Sequence, residues 1–157
     1  MDKKGKNSHL YLPSLLSRLK DSKNDDFLSD FETLKQEILD NISMILNSRV
    51  RPERHDLDND PFIYRSVLGF GLSDFCGVSH SKYTVDFILN EIRELVVFFE
   101  PRLDGSSVVV QRIRALDSTS NIEIQISGRL SVAPYNDDVD FFFTLDLESG
   151  EQKVKKE

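Results

Sequence analysis

Few residues in this chain have the type and spacing to do chemistry, and most of the patterns they form fail a specific requirement. Asp56, Asp58 and Asp60 place carboxylates at every second position, as a calcium loop begins. Pro61 stands where such a loop needs glycine for its turn, and Val67 where it needs the bidentate glutamate. A solvated acidic loop is the reading that remains. Gly69-Phe70-Gly71 has Asp74 in place of the third glycine of a dinucleotide fingerprint. His9, His55 and His80 are scattered without metal-ligand spacing, so neither a metal nor any other cofactor is expected. Ser79-His80-Ser81 sets hydroxyls beside an imidazole, but adjacency in sequence is not triad geometry. Cys76 is the one cysteine, which rules out an internal disulfide and reads as a buried thiol in a reducing compartment.

Glu100 needs the closest weighing. With Asp74 or Asp86 it offers paired carboxylates for glycoside hydrolysis, which requires them roughly 5–9.5 Å apart. Carbohydrate clefts are lined with aromatic platforms, however, and this chain has no tryptophan. The context of Glu100 has a plainer sense. Glu100-Pro101-Arg102 sets an acid and a base on either side of a bend whose φ proline fixes. Two readings stand: a local ion pair at a helix end, or a preset polar fork for a partner's complementary charges.

The elements that position these residues follow from periodicity. Leu12, Leu15, Leu16 and Leu19 fall at helical spacing, with Pro13 in the first turn. So short an apolar stripe must dock on the domain or on another chain, which makes Leu15, Leu16 and Leu19 candidate partner-binding residues. A second helix is expected over about residues 30–47, with Phe31, Leu34, Ile38, Ile42, Ile45 and Leu46 on one face. Glu32, Lys35, Gln36, Asp40 and Asn47 lie away from that face. Residues 62–75 read as a compact, turn-rich segment with room for one helical turn. A third helix, about 81–99, carries Val85, Ile88, Leu89, Ile92, Leu95, Val96 and Phe99, and Pro101 sets its end.

The remainder reads as three strands. Residues 121–132 and 139–147 alternate cleanly between apolar and polar positions, whereas 108–116 is less regular. Short links favour a meander with the middle strand central. Phe142 breaks the alternation, pointing away from Phe141 and Phe143. It is either covered by the N-terminal helix or serves as an apolar anchor for a partner. The expected fold is α+β, with helices packed on one face of a small three-stranded antiparallel sheet. Residues 1–26 are expected to form a flexible segment with a docking helix, 27–148 the single domain, and 149–157 a charged tail.

With 157 residues, 39% hydrophobic and 30% charged, the composition is that of an ordinary globular domain. No stretch approaches the roughly 20 apolar residues of a membrane span, and His9, Pro13, Ser14 and Arg18 interrupt any signal-peptide core. A cytoplasmic location without membrane insertion is expected. The net charge of −7 argues against a nucleic-acid binder.

Four blocks together resemble a known family. Phe99-Glu100-Pro101-Arg102-Leu103, between a long amphipathic helix and a sheet, resembles the Glu-Pro-Arg signature of the GPW-type baseplate wedge family. Ser66-Val67-Leu68-Gly69-Phe70-Gly71-Leu72-Ser73-Asp74-Phe75 resembles its "SVLNYGLPDL" block, with Gly69-Phe70 for Asn-Tyr and Ser73 for proline. Leu15-Leu16-Ser17-Arg18-Leu19 and Ile45-Leu46-Asn47-Ser48-Arg49 resemble the "LLxRL" and "LLNTR" blocks of TssE, from the type VI secretion branch rather than the phage branch. The resemblance implies a structural, non-enzymatic wedge subunit within a large hetero-oligomeric assembly. Its implied partners are other wedge proteins (TssF, TssG, TssK-like) and the sheath subunits. It also implies that Glu100 and Arg102 belong to the motif on which sheath assembly depends.

Overall fold

The computed structural model describes residue 11 and residues 15–20, 30–50, 60–75, 82–113, 121–147 and 152–154. Within them the order is α1 (Leu15–Lys20), α2 (Phe31–Asn47), α3 (Pro61–Tyr64), a 3₁₀ turn (Val67–Gly69), α4 (Lys82–Phe99), β1 (Val109–Arg112), β2 (Asn121–Arg129), β3 (Asp138–Asp146) and β4 (Gln152–Val154). His9, His55, His80, Cys76, Ser79, Asp56 and Asp58 lie outside the described residues.

Helix α2 forms where an apolar stripe meets a good cap. Asp30 has extended backbone and its carboxylate accepts from the Thr33 N–H at 3.0 Å, satisfying one of the free donors of the first turn. Leu34, Ile38, Ile42, Ile45 and Leu46 are all buried, as their spacing requires. Val85, Ile88, Ile92, Leu95 and Val96 do the same for α4, while Leu89 and Phe99 pack half-buried at its border.

The strands pair antiparallel in the order β1-β2-β3-β4, a meander of four strands rather than three. The additional strand, β4, lies in the segment expected to be a charged tail and pairs Val154, Lys153 and Gln152 with Phe143, Thr144 and Leu145. It escapes sequence reading because three residues with one apolar side chain carry no periodicity; its neighbour makes it a strand. Ile122, Ile124 and Ile126 of β2 and Val139, Phe141, Phe143 and Leu145 of β3 share the core with both helix stripes. Helix α4 lies against β1 and α2 against β4. The opposite face is polar, crossed by hydrogen bonds from Gln111 Nε2 to Gln125 (2.9 Å) and from Gln125 Nε2 to Asp140 (3.0 Å).

Between α2 and α4 the chain is held by two close approaches. Ser48–Val50 bridges Leu72 in parallel, with Val50 N–H on Leu72 O and Leu72 N–H on Ser48 O, both 3.0 Å. Gly71 permits this. Its φ is +110°, and a Cβ there would stand 2.6 Å from the Ser48 carbonyl carbon. Glu91 of α4, buried, pins the next residue by accepting from the Ser73 N–H (2.8 Å) and hydroxyl (2.7 Å).

Candidate functional site

The exit of α4 turns inward. Glu100 N–H still bonds the Val96 carbonyl at 2.9 Å, so its side chain leaves from the last helical turn toward the interior. Its carboxylate is fully buried (0% exposed). A buried charge requires partners, and here each oxygen has them. Arg102 Nε donates to Oε1 and Nη2 to Oε2, both at 2.8 Å, a bidentate pair. The Arg102 backbone N–H adds a contact to Oε1 at 3.2 Å, and Asn41 Nδ2 donates to Oε2 at 2.8 Å. Pro101 between them is exposed and fixes the bend that brings acid and base face to face.

Arg102 reaches further. Its Nη1 donates to the Glu37 carboxylate at 3.0 Å, so one guanidinium, about a quarter exposed, holds two acids. Burial alone would lower the Arg102 pKa. The hydrogen bonds and charge of Glu100, with the charge of Glu37, outweigh it and hold the guanidinium above its ordinary value. Asn41 also bonds the Phe99 carbonyl at 3.1 Å, capping α4 from α2. Past the bend the chain zips onto the end of β2: Ser131 N–H bonds Arg102 O at 2.7 Å, Asp104 N–H bonds Arg129 O at 2.8 Å, and Leu103 bridges Leu130. The acid and base of the Glu-Pro-Arg sequence thus pair with each other and tie α2, α4 and the sheet at one corner.

Tyr11 joins this corner from the N-terminal side. Its ring is buried, edge-on to Tyr135, which in turn packs against Phe31. Burial, first, and then the adjacent Glu37 carboxylate push its phenol well above the ordinary value.

The other expected residues lie apart from the corner. Leu15 and Leu19 project from α1 largely into solvent; the side chain of Leu16 lies outside those described. Phe142 is half-buried on the polar face of the sheet, opposite Gln125. Sequence reasoning missed Glu37, Asn41 and Tyr11. The available signal for the first two was their i, i+4 spacing along the edge of the α2 stripe.

No group of three or more metal-ligating side chains occurs among the described residues, and no described helix is long and apolar enough to cross a membrane. Comparison with curated proteins and with solved structures finds no match. Residues 32–135 match the family described as baseplate wedge protein gp25, a stretch that begins in α2, contains the whole Glu-Pro-Arg corner and ends at Tyr135. The chain therefore belongs to the baseplate wedge protein gp25 family, whose members are structural parts of the baseplates of phage tails and contractile systems.

Proposed function

We propose that this chain is the TssE-like wedge component of a type VI secretion baseplate, linking the wedge to the contractile sheath and helping to initiate sheath assembly in the cytoplasm. Family membership over residues 32–135 carries the reading. The blocks at Leu15–Leu19 and Ile45–Arg49 favour the secretion branch over the phage branch. The partners are then TssF-, TssG- and TssK-like wedge proteins and the sheath subunits. In this reading Glu100, Pro101 and Arg102 act by holding the corner in shape rather than by reaching across an interface. Phe142 and the leucines of α1 are the side chains offered to partners.

The sheath contact follows from an unpaired strand edge, which can accept a strand from another chain. Strand β4 covers β3 only over Phe143–Leu145, so Asp138–Phe142 keeps an edge without a paired strand among the described residues. Leu130 N–H bonds Asp137 O at 2.9 Å, which sets the alternation along the β2–β3 ladder. By that phase the N–H groups of Asp140 and Phe142 point to the outer edge. Asp140→Pro removes an outward donor and leaves the bonds to β2 intact.

The test is a pull-down of tagged protein from its native cells, wild type beside Asp140→Pro, with circular dichroism to confirm that the variant folds. Wild type is expected to recover wedge and sheath components, and the variant to keep the wedge and lose the sheath. A variant that recovers sheath normally overturns the edge contact. Recovery of phage tail proteins in place of secretion components overturns the secretion assignment and favours the phage branch. The hydrolase alternative has lost its acid in physical terms: a general acid must come within hydrogen-bond reach of the glycosidic oxygen, and Glu100 is enclosed by Arg102 and Asn41. Turnover of polysaccharide that disappears in Glu100→Gln would restore it.

A further inference from the structure

Tyr11 reaches Arg102 by two separate routes. The first runs through side chains: its phenol lies beside the Glu37 carboxylate, and the same carboxylate accepts from Arg102 Nη1 at 3.0 Å. The second runs through the main chain. The Tyr11 ring stands edge-on to Tyr135 with centroids 6.5 Å apart, and Tyr135 N–H closes a tight turn on Val132 O at 2.7 Å. Val132 follows Ser131, whose N–H holds the Arg102 carbonyl at 2.7 Å. One ring, 4% exposed, thus backs both the guanidinium and the backbone of Arg102. Of the side chains described in residues 11–20, only Tyr11 is buried, whereas Leu15 and Leu19 of α1 are 63% and 68% exposed. Among the described residues, a load on α1 therefore reaches the core through Tyr11.

We propose that Tyr11 makes the Glu-Pro-Arg corner a conformational device. With the ring seated, Arg102 is held from both sides; with the ring withdrawn, the corner loosens while the far end of the domain stays packed. Coupling of this kind needs an element with two arrangements that both ends bias, and seated and withdrawn Tyr11 are those arrangements. The far end is marked by the bridge of Ser48–Val50 to Leu72. It lies about three turns along α2 from Glu37, and none of its hydrogen bonds involves Glu37 or Tyr135. Withdrawing a ring that backs one region opens that region, whereas losing an ordinary core side chain weakens the whole cooperative unit. These contacts stand whichever partners the chain has.

Amide hydrogen exchange of the full chain, read residue by residue by NMR, tests this. In Tyr11→Ala the amides of Ser131 and Asp104, which bond Arg102 O and Arg129 O, are expected to exchange at least about tenfold faster. Those of Val50 and Leu72 should change no more than they do in Val85→Ala, a core deletion in the first turn of α4. Tyr11→Leu keeps apolar bulk in the seat and serves if the alanine variant does not fold. It should still raise exchange at Ser131 and Asp104 above that at Val50 and Leu72. A rise shared equally by all four amides makes Tyr11 an ordinary core residue and overturns the proposal. So does exchange at Ser131 and Asp104 that stays at the level of Val85→Ala.

Discussion

Arg102 is a single side chain answering two carboxylates, and removing it leaves Glu100 as a buried charge with Asn41 as its one remaining side-chain partner among the described residues. Arg102→Ala is therefore expected to cost about 3–5 kcal/mol in urea unfolding. Glu100→Ala/Arg102→Ala should cost less than the sum of the single changes, with a coupling of about 1–3 kcal/mol. A strictly additive result would mean that the pair does not act as a unit. Tyr11 gives the corner a pH dependence. Its phenol is raised in the folded state, so the stability it contributes is complete below the ordinary value near 10 and is lost as pH rises toward the higher folded value. Absorbance titration near 295 nm should show one of the four tyrosines ionising late, with stability falling above about pH 10. Glu100, Pro101 and Arg102 were legible in the sequence as a constellation. What they bond was not, because Glu37 and Asn41 come from a helix 58 to 65 residues earlier, and their i, i+4 spacing beside the apolar stripe does not say which buried group they meet.

At the scale of elements, the apolar stripes of α2 and α4 and the alternation of β2 and β3 were legible because burial follows a fixed period in each. The pairing of Gln152–Val154 was not, since a three-residue strand is defined by its neighbour. The glycines of the link between α2 and α4 announced a tight turn without saying what they approach. Both are now accounted for: a Cβ at Gly69 would fall 1.9 Å from the Tyr64 carbonyl oxygen, and Gly71 adds its positive φ. Gly71→Ala is expected to cost about 1–3 kcal/mol, measured by thermal unfolding. Equal stability would show that the Ser48–Leu72 bridge shifts freely. Asp30→Ala removes the α2 cap and should cost about 1 kcal/mol in the same assay.

At the scale of the molecule, the α+β class and the meander order were correct from patterning, while the strand count was one short. That strand matters for association. Removing residues 148–157 uncovers the outer edge of β3 along its full length, including the amides opposite Gln152–Val154. The shortened chain is expected to self-associate at concentrations where the full chain is monodisperse, as read by light scattering after size exclusion. If the two scatter alike, β4 is not what guards that edge. The matched family stretch ends at Tyr135, just before β3, yet Val139, Phe141, Phe143 and Leu145 complete the core. The residues after the match are thus as necessary to the fold as those within it.

The Glu-Pro-Arg corner also has a mechanical meaning. A pull on α2 reaches Arg102 through Glu37, a pull on α4 reaches it through Glu100, and a pull on the sheet reaches its carbonyl through Ser131. Three elements meet at one side chain, and the Glu37–Arg102–Glu100 links run in series between α2 and α4. In a structural part of a baseplate, that arrangement ties both helices to the sheet at one corner instead of leaving a hinge between them.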